Sequence, residues 1–273
     1  SILIAVMLTN SLSIAGPPQF KTPVSYSAGS EPQAVVLADF DGDNDIDMAI
    51  ANMAGDNVGV FKNDGTGSFG NPDNFAVGNG PSSICTGDFD NDGDNDLAVS
   101  LFDDGSVKIL LNDGDGNFAG IENYPTKRYS YAIICADLNN DSFPDLVTTN
   151  SSVSSLSILK NLDSAIFASA DSLSTSKGPH GIVPFHMYPD SFPDLAVACS
   201  GSNNVNIIRN RRNGTMNFTI VASYGAGNGP VGICSADFDN DGDDDLLSAN
   251  PGSDNLTFIR NNGDGTFQVS DSN

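Results

Sequence analysis

Apolar and polar positions along the chain alternate in short runs and never settle into a helical period. An apolar stretch such as Ser82–Thr86 leads into an acidic segment, which exits into Leu97–Ser100 (LAVS). An alternating run, Ser106–Leu111 (SVKILL), follows, then a Gly-rich turn, a Phe and a further extended stretch. Period-two alternation divided by Gly, Asn and Asp is the signature of strands joined by hairpins. The pattern predicts four short strands per stretch of chain and no helix.

The stretch recurs. Asp39–Met48 reads DFDGDNDIDM, Asp88–Leu97 DFDNDGDNDL, Asp137–Leu146 DLNNDSFPDL and Asp237–Leu246 DFDNDGDDDL. His186–Leu195 (HMYPDSFPDL) is the same unit with its first half changed. The five copies start at positions 39, 88, 137, 186 and 237, a repeat of 49, 49, 49 and 51 residues. Other features keep this phase: Phe20, Phe69, Phe118, Phe167, Phe218 and Phe267 after the turn, and Pro32, Pro81, Pro179 and Pro230 before the loop, with Ser130 in the third copy. A unit of this length cannot bury both faces of its own sheet, so copies must stack on one another. Four strands per unit without helix predict an all-β fold, a β-propeller of four-stranded blades formed by residues 1–273 as one domain. Residues 1–28 then supply the last three strands of an incomplete blade. The count is six blades with the first incomplete, the alternative being a truncated seven-bladed ring.

Composition narrows the function. Acidic residues number 35 against 11 basic, giving a formal charge of −24. Nucleic acid and anionic lipid need clustered Lys and Arg, so neither is expected as a partner. Only Glu31 and Glu122 are glutamates; the other acids are Asp, a turn and metal-ligand residue. No run is long enough for a membrane span, and the apolar segment Ser1–Gly16 fits the repeat register better than it fits a signal peptide. Cys85, Cys135, Cys199 and Cys234 show no CxxC or zinc spacing, and their pairing is open. N-x-S/T triplets begin at Asn150, Asn213, Asn217 and Asn255. With two histidines and no GxSxG, HExxH or phosphate-cradling loop, a non-catalytic protein is expected.

The chemistry concentrates at odd positions of the acidic loops. Five carboxylates within nine residues, as in Asp39–Asp47 and Asp88–Asp96, repel one another unless a cation neutralises them. Oxygen donors alone suit a hard divalent ion, calcium before magnesium, and exclude zinc and copper. An EF-hand would place Glu at position 12 between helices; here Ile50, Val99 and Ser248 stand there with β-type flanks. Position 9 instead can close the cage early, and His186 and Tyr188 mark the loop at 186–194 as a lost site.

These units resemble FG-GAP or VCBS-type repeats, the calcium-binding blades of the integrin α-subunit propeller. The resemblance implies loops joining a blade's first and second strands, with side chains at positions 1, 3, 5 and 9 and the position-7 carbonyl as ligands. Four sites follow, for about four Ca²⁺: Asp39, Asp41, Asp43, Asp45 and Asp47; Asp88, Asp90, Asp92, Asp94 and Asp96; Asp137, Asn139, Asp141, Phe143 and Asp145; and Asp237, Asp239, Asp241, Asp243 and Asp245. It also implies an extracellular or cell-surface binding or adhesion module, its protein or carbohydrate ligand docking opposite the calcium loops. There Lys127, Arg128, Tyr129 and Tyr131 (KRYSY), with His180 one blade onward, are the candidate ligand residues. A propeller-type polysaccharide lyase or its accessory domain, and a structural repeat of a filament or surface layer, are the alternatives.

Overall fold

The alternation along the chain becomes a series of four-stranded antiparallel meanders. A computed structural model describes residues 23–188, 190–211 and 216–271. Five sheets are present among the described residues, each ordered as in the sequence. The first contains β1 (Pro32–Ala38), β2 (Asp47–Asn52), β3 (Asn57–Phe61) and β4 (Asp73–Ala76). The second contains β5 (Pro81–Gly87), β6 (Asp96–Leu101), β7 (Ser106–Asn112) and β8 (Phe118–Pro125). The third contains β9 (Ser130–Ala136), β10 (Asp145–Asn150), β11 (Ser155–Leu159) and β12 (Asp171–Ser174). The fourth contains β13 (Pro179–Phe185), β14 (Asp194–Cys199), β15 (Asn204–Asn210) and β16 (Phe218–Gly225). The fifth contains β17 (Gly232–Ala236), β18 (Asp245–Asn250), β19 (Asn255–Asn261) and β20 (Phe267–Asp271). Among the described residues helix is confined to two single 3₁₀ turns, Met53–Gly55 and Ser151–Val153. The turn between second and third strands ends on Asp56, Asn203 or Asp254 at φ 51°, 54° and 54°, the left-handed region that short polar side chains tolerate.

Burial follows from stacking. Strands β6, β10 and β14 are buried along their whole length because their two faces meet two different neighbours. Alternate residues of one strand therefore serve different cores: Ile84 packs toward the first blade and Cys85 toward the third. Four buried clusters result, each shared by two successive sheets. The Phe after each turn is a seam residue. Phe118 meets Phe40 and Phe75 of the preceding blade with ring centroids 5.6 and 5.4 Å apart, and Phe167 meets Phe89 and Tyr124 at 5.8 and 5.2 Å. All four contacts are edge-to-face, the geometry aromatic quadrupoles favour. The phase of these Phe residues in the sequence is thus a packing signal.

Most of the segment expected to begin the incomplete blade, residues 1–22 with Phe20, lies outside the described residues, as does Asn213. Residues 23–29 carry no strand. Tyr26 nonetheless packs edge-on to Phe69 at 5.5 Å, the contact that Phe75, Tyr124 and Tyr224 make with Phe118, Phe167 and Phe267. It stands toward the first sheet as a residue of a preceding blade's fourth strand would.

Candidate metal centres

Each acidic loop connects the first and second strands of a blade, and its position 9 (Asp47, Asp96, Asp145, Asp194 or Asp245) opens the second strand. Even positions shape it. Gly42 and Asn44, Asn91 and Gly93, Asn140 and Ser142, and Asn240 and Gly242 all have positive φ, which curls the backbone back on itself. The position-1 carboxylate ties the curl by accepting backbone N–H groups: Asp39 from Gly42 and Asn44 at 2.9 and 2.8 Å, Asp88 from Asp92 and Gly93 at 3.2 and 3.1 Å, Asp237 from Asp241 and Gly242 at 3.1 Å. Asp137 accepts from Asp141 and Ser142 in the same way.

This curl gathers carboxylates. One oxygen from each of Asp39, Asp41 and Asp43 lies within 4.8 Å of the others. So do oxygens of Asp88, Asp90 and Asp96, and of Asp237, Asp239 and Asp245. Asp41 Oδ1 and Asp90 Oδ1 are buried without a hydrogen-bond partner. An orphaned buried carboxylate oxygen costs free energy that a cation would recover. Burial, reinforced by Asp47 and Asp43, holds Asp41 above the usual carboxylate range, and burial with Asp92 does so for Asp90. Burial pushes Asp96 up to about 7 and Asp145 up to about 6. An oxygen-only cluster of this kind fits a hard divalent ion, which would stabilise the ionised form.

Position 7 points elsewhere. A Cβ on Gly65 or Gly114 would lie 2.6 Å from Asp45 Oδ2 or Asp94 Oδ2, so these carboxylates rest on the turn between third and fourth strands and require glycine there. In the third loop position 7 is Phe143, and Asp163 stands where Gly65 and Gly114 do. Among the described residues that loop forms no carboxylate triad like those of the first, second and fifth, and the Asn139 amide donates to Asp145 Oδ2 at 2.9 Å.

Position 9 has a second task. Its Oδ2 accepts the position-2 N–H of Phe40, Phe89, Leu138, Met187 or Phe238 at 2.9–3.3 Å. Its Oδ1 accepts the N–H of Asn63, Asn112, Asn161, Asn210 or Asn261 at the end of the third strand, at 2.6–2.9 Å. The sequence pattern did not single out these asparagines, although they repeat in the same phase as the loops. The amides of Asn112, Asn161 and Asn210 reach across the seam to the carbonyls of Phe40, Phe89 and Leu138 in the preceding blade, at 2.9, 2.8 and 2.7 Å. The first three loops are thereby pinned by their own blade and by the next.

A second in-phase position supplies a cation. Lys62 Nζ lies 4.0 Å from Asp41, Lys160 Nζ 3.1 Å from Asp141, and Arg260 Nη2 2.6 and 3.2 Å from Asp239 and Asp241. The second blade has Leu111 there. In the fourth blade Arg209 sits over the Tyr188 ring, 5.0 Å from its centroid. His186 leans on Asp244 of the fifth loop, with Nδ1 3.5 Å from its carboxylate and the backbone N–H donating at 3.0 Å.

At the other end of the first strands the candidate ligand residues gather in part. Tyr131 stacks on His180 with centroids 4.2 Å apart and planes 18° from parallel. Tyr129 and Tyr131 both pack edge-on to Phe102, at 4.9 and 5.2 Å; Phe102 was not anticipated from the sequence. Tyr129 and Tyr131 remain 42% and 40% exposed. Burial holds His180 below the usual histidine range. Arg128 is exposed, its Nε donating to the Asp103 carbonyl at 2.6 Å, and Lys127 lines a cleft with Thr126, Ser157 and Ser172.

Among the described residues no helix is long and apolar enough to cross a membrane. No curated protein matches the sequence. Solved structures share the fold at low identity. A functionally unknown protein from Desulfotomaculum acetoxidans is 11% identical, with 89% of this chain and 69% of that one covered at a TM-score of 0.66. A putative 6-phosphogluconolactonase from Bacteroides uniformis is 13% identical, with 86% and 68% covered at 0.67. An Agrocybe aegerita lectin with specific recognition of non-reducing terminal N-acetylglucosamine is 18% identical, with 88% and 66% covered at 0.58. The FG-GAP-like repeat pattern matches residues 39–99, 88–148 and 189–248, and the FG-GAP repeat residues 229–270. Matching loops, blades and seams over most of its length, the chain belongs to the FG-GAP repeat family.

Proposed function

We propose that this FG-GAP propeller is a calcium-stabilised, non-catalytic binding or adhesion module that works outside the cell or at its surface. The observation carrying the calcium reading is the set of three carboxylate triads, two of which contain a buried oxygen with no partner. Loops one, two, three and five would each hold one ion: Asp39, Asp41, Asp43 and Asp47; Asp88, Asp90, Asp92 and Asp96; Asp137, Asn139, Asp141 and Asp145; Asp237, Asp239, Asp241 and Asp245. The carbonyls of Asp45, Asp94, Phe143 and Asp243 complete them. Calcium at extracellular concentrations suits sites of about 10⁻⁴–10⁻³ M affinity or tighter. The ions bind the folded state, so their role is to stabilise it.

The ligand face is the aromatic group of Phe102, Tyr129, Tyr131 and His180. Flat, half-exposed rings held by edge and stacking contacts are preorganised anchors for a protein or a sugar. Titration of the metal-free protein with calcium in a calorimeter, followed by melting with and without chelator, tests the first part. About four ions and a higher melting temperature are expected; no heat and an unchanged melt overturn it. A glycan array read with and without calcium, then repeated with Tyr129→Ala/Tyr131→Ala, tests the second. Loss of binding with an intact calcium-dependent melt supports it, whereas retained binding places the ligand elsewhere and product formation makes the protein an enzyme.

A further inference from the structure

Two of the four cysteines face each other across a seam, and the repeat explains how. Cys85 lies on β5, the first strand of the second blade, and the repeat places Ile134 at its counterpart in the third. Cys135 is one residue further along. An odd offset moves a side chain to the opposite face of a strand. Ile134 accordingly packs toward the fourth blade, while Cys135 turns back and joins the same buried cluster as Cys85. The two strands are held close at this level. Cys135 Sγ donates to the carbonyl of Thr86, the residue after Cys85, at 3.0 Å, and Ile133 N–H donates to Ser83 Oγ at 3.3 Å. A Cβ placed on Gly87 would lie 3.7 Å from Cys135 Sγ. The remaining cysteines are elsewhere: Cys199 is buried between the third and fourth blades, and Cys234 is exposed on the fifth.

We propose that Cys85 and Cys135 form a disulfide that bolts the second blade to the third when the protein meets an oxidising thiol buffer. Glutathione disulfide is the oxidant. The Cys135 thiolate attacks one of its sulfurs, forming a mixed disulfide and releasing one glutathione thiolate. Cys85 then loses its proton and displaces the second glutathione. Two protein thiols and one glutathione disulfide thus give one protein disulfide and two molecules of glutathione. The order of attack follows from the environment: the hydrogen bond with Cys85 holds Cys135 below the usual thiol range, while burial pushes Cys85 above it. The bond would close a loop containing an entire blade, limiting the unfolded chain far more than a short hairpin bridge would. This inference does not rest on calcium binding, although both suit a secreted protein.

The test uses the full chain equilibrated with glutathione disulfide, alkylated, and digested with trypsin without reduction. Cleavage after Lys108 separates the two cysteines, so only a disulfide joins their peptides. Expected are a cross-linked Cys85–Cys135 peptide pair, loss of two of four free thiols, and a melting temperature several degrees higher than in the reduced protein. Cys135→Ser should abolish the oxidant-dependent rise, while Cys234→Ser should leave it. Four thiols still free, stable glutathione on Cys135 alone, or a link to Cys199 or Cys234 would each overturn the proposal.

Discussion

The second and fourth acidic loops have the same length and the same place in their blades, yet they differ at three of the five acidic positions. In the second, Asp88, Asp90 and Asp96 converge, and Leu111 leaves the cluster without an internal cation. In the fourth, His186 and Tyr188 replace the first two carboxylates, and Arg209 caps the Tyr188 ring. Asp survives in both at positions 5 and 9, and position 9 keeps its bonds: Asp194 accepts the N–H groups of Met187 and Asn210 as Asp96 accepts those of Phe89 and Asn112. The comparison separates two roles that the sequence presents as one. Positions 1, 3 and 5 gather charge for an ion, whereas position 9 builds the blade with or without one.

The largest expected effect breaks that separation if it is wrong. Asp194→Ala should cost roughly 3 kcal/mol, or about 6 to 12 °C of melting temperature, by stranding two buried N–H groups. The loss should be the same with calcium or chelator. Asp96→Ala should cost about as much in chelator and more in calcium, because it also removes a ligand. A neutral Asp194→Ala would end the idea of a structural position 9.

A smaller effect sharpens the electrostatic half. In the metal-free protein Asp96 and Asp145 titrate at about 7 and about 6, above an ordinary Asp. Between about pH 4 and 7 the folded state then holds protons that the unfolded chain has released, so stability falls as pH rises through that window. Calcium removes the advantage of the proton. Melts in chelator should drop from pH 5 to pH 7.5, and melts in millimolar calcium should not.

The smallest effect concerns the resident cations. Leu111→Lys should weaken calcium at the second loop about threefold, and Lys160→Met should strengthen it at the third by a similar factor, the range of a partly exposed ion pair. Site-resolved calorimetry of the two variants reads both changes. Equal affinities throughout would leave Lys62, Lys160 and Arg260 without influence on the ions.

The blades, their strand order and the loops were legible because charge, turn residues and Phe recur at one period. The asparagines at 63, 112, 161, 210 and 261 recur just as faithfully but do not stand out, since Asn after a strand reads as turn chemistry. At 112, 161, 210 and 261 the amide reaches a carbonyl of the preceding blade, which no local pattern displays. Phe102 was hidden for a similar reason: it meets Tyr129 and Tyr131 only after two blades stack. Of the residues read from the sequence as a ligand patch, Tyr131 and His180 stack and Tyr129 joins them through Phe102, while Arg128 Nε donates to the Asp103 carbonyl.

The amide clasp from each third strand to the loop behind it gives the array a direction. A loop that has a successor is clasped by it, so a cut after such a blade would remove that clasp as well as the later blades. Phe238, whose counterparts Phe40 and Phe89 are fully enclosed, is 45% exposed at the last described loop. Growth of such a protein by copying single units would thus have been rewarded at each step twice, once for the added sheet and once for the older turn it locked.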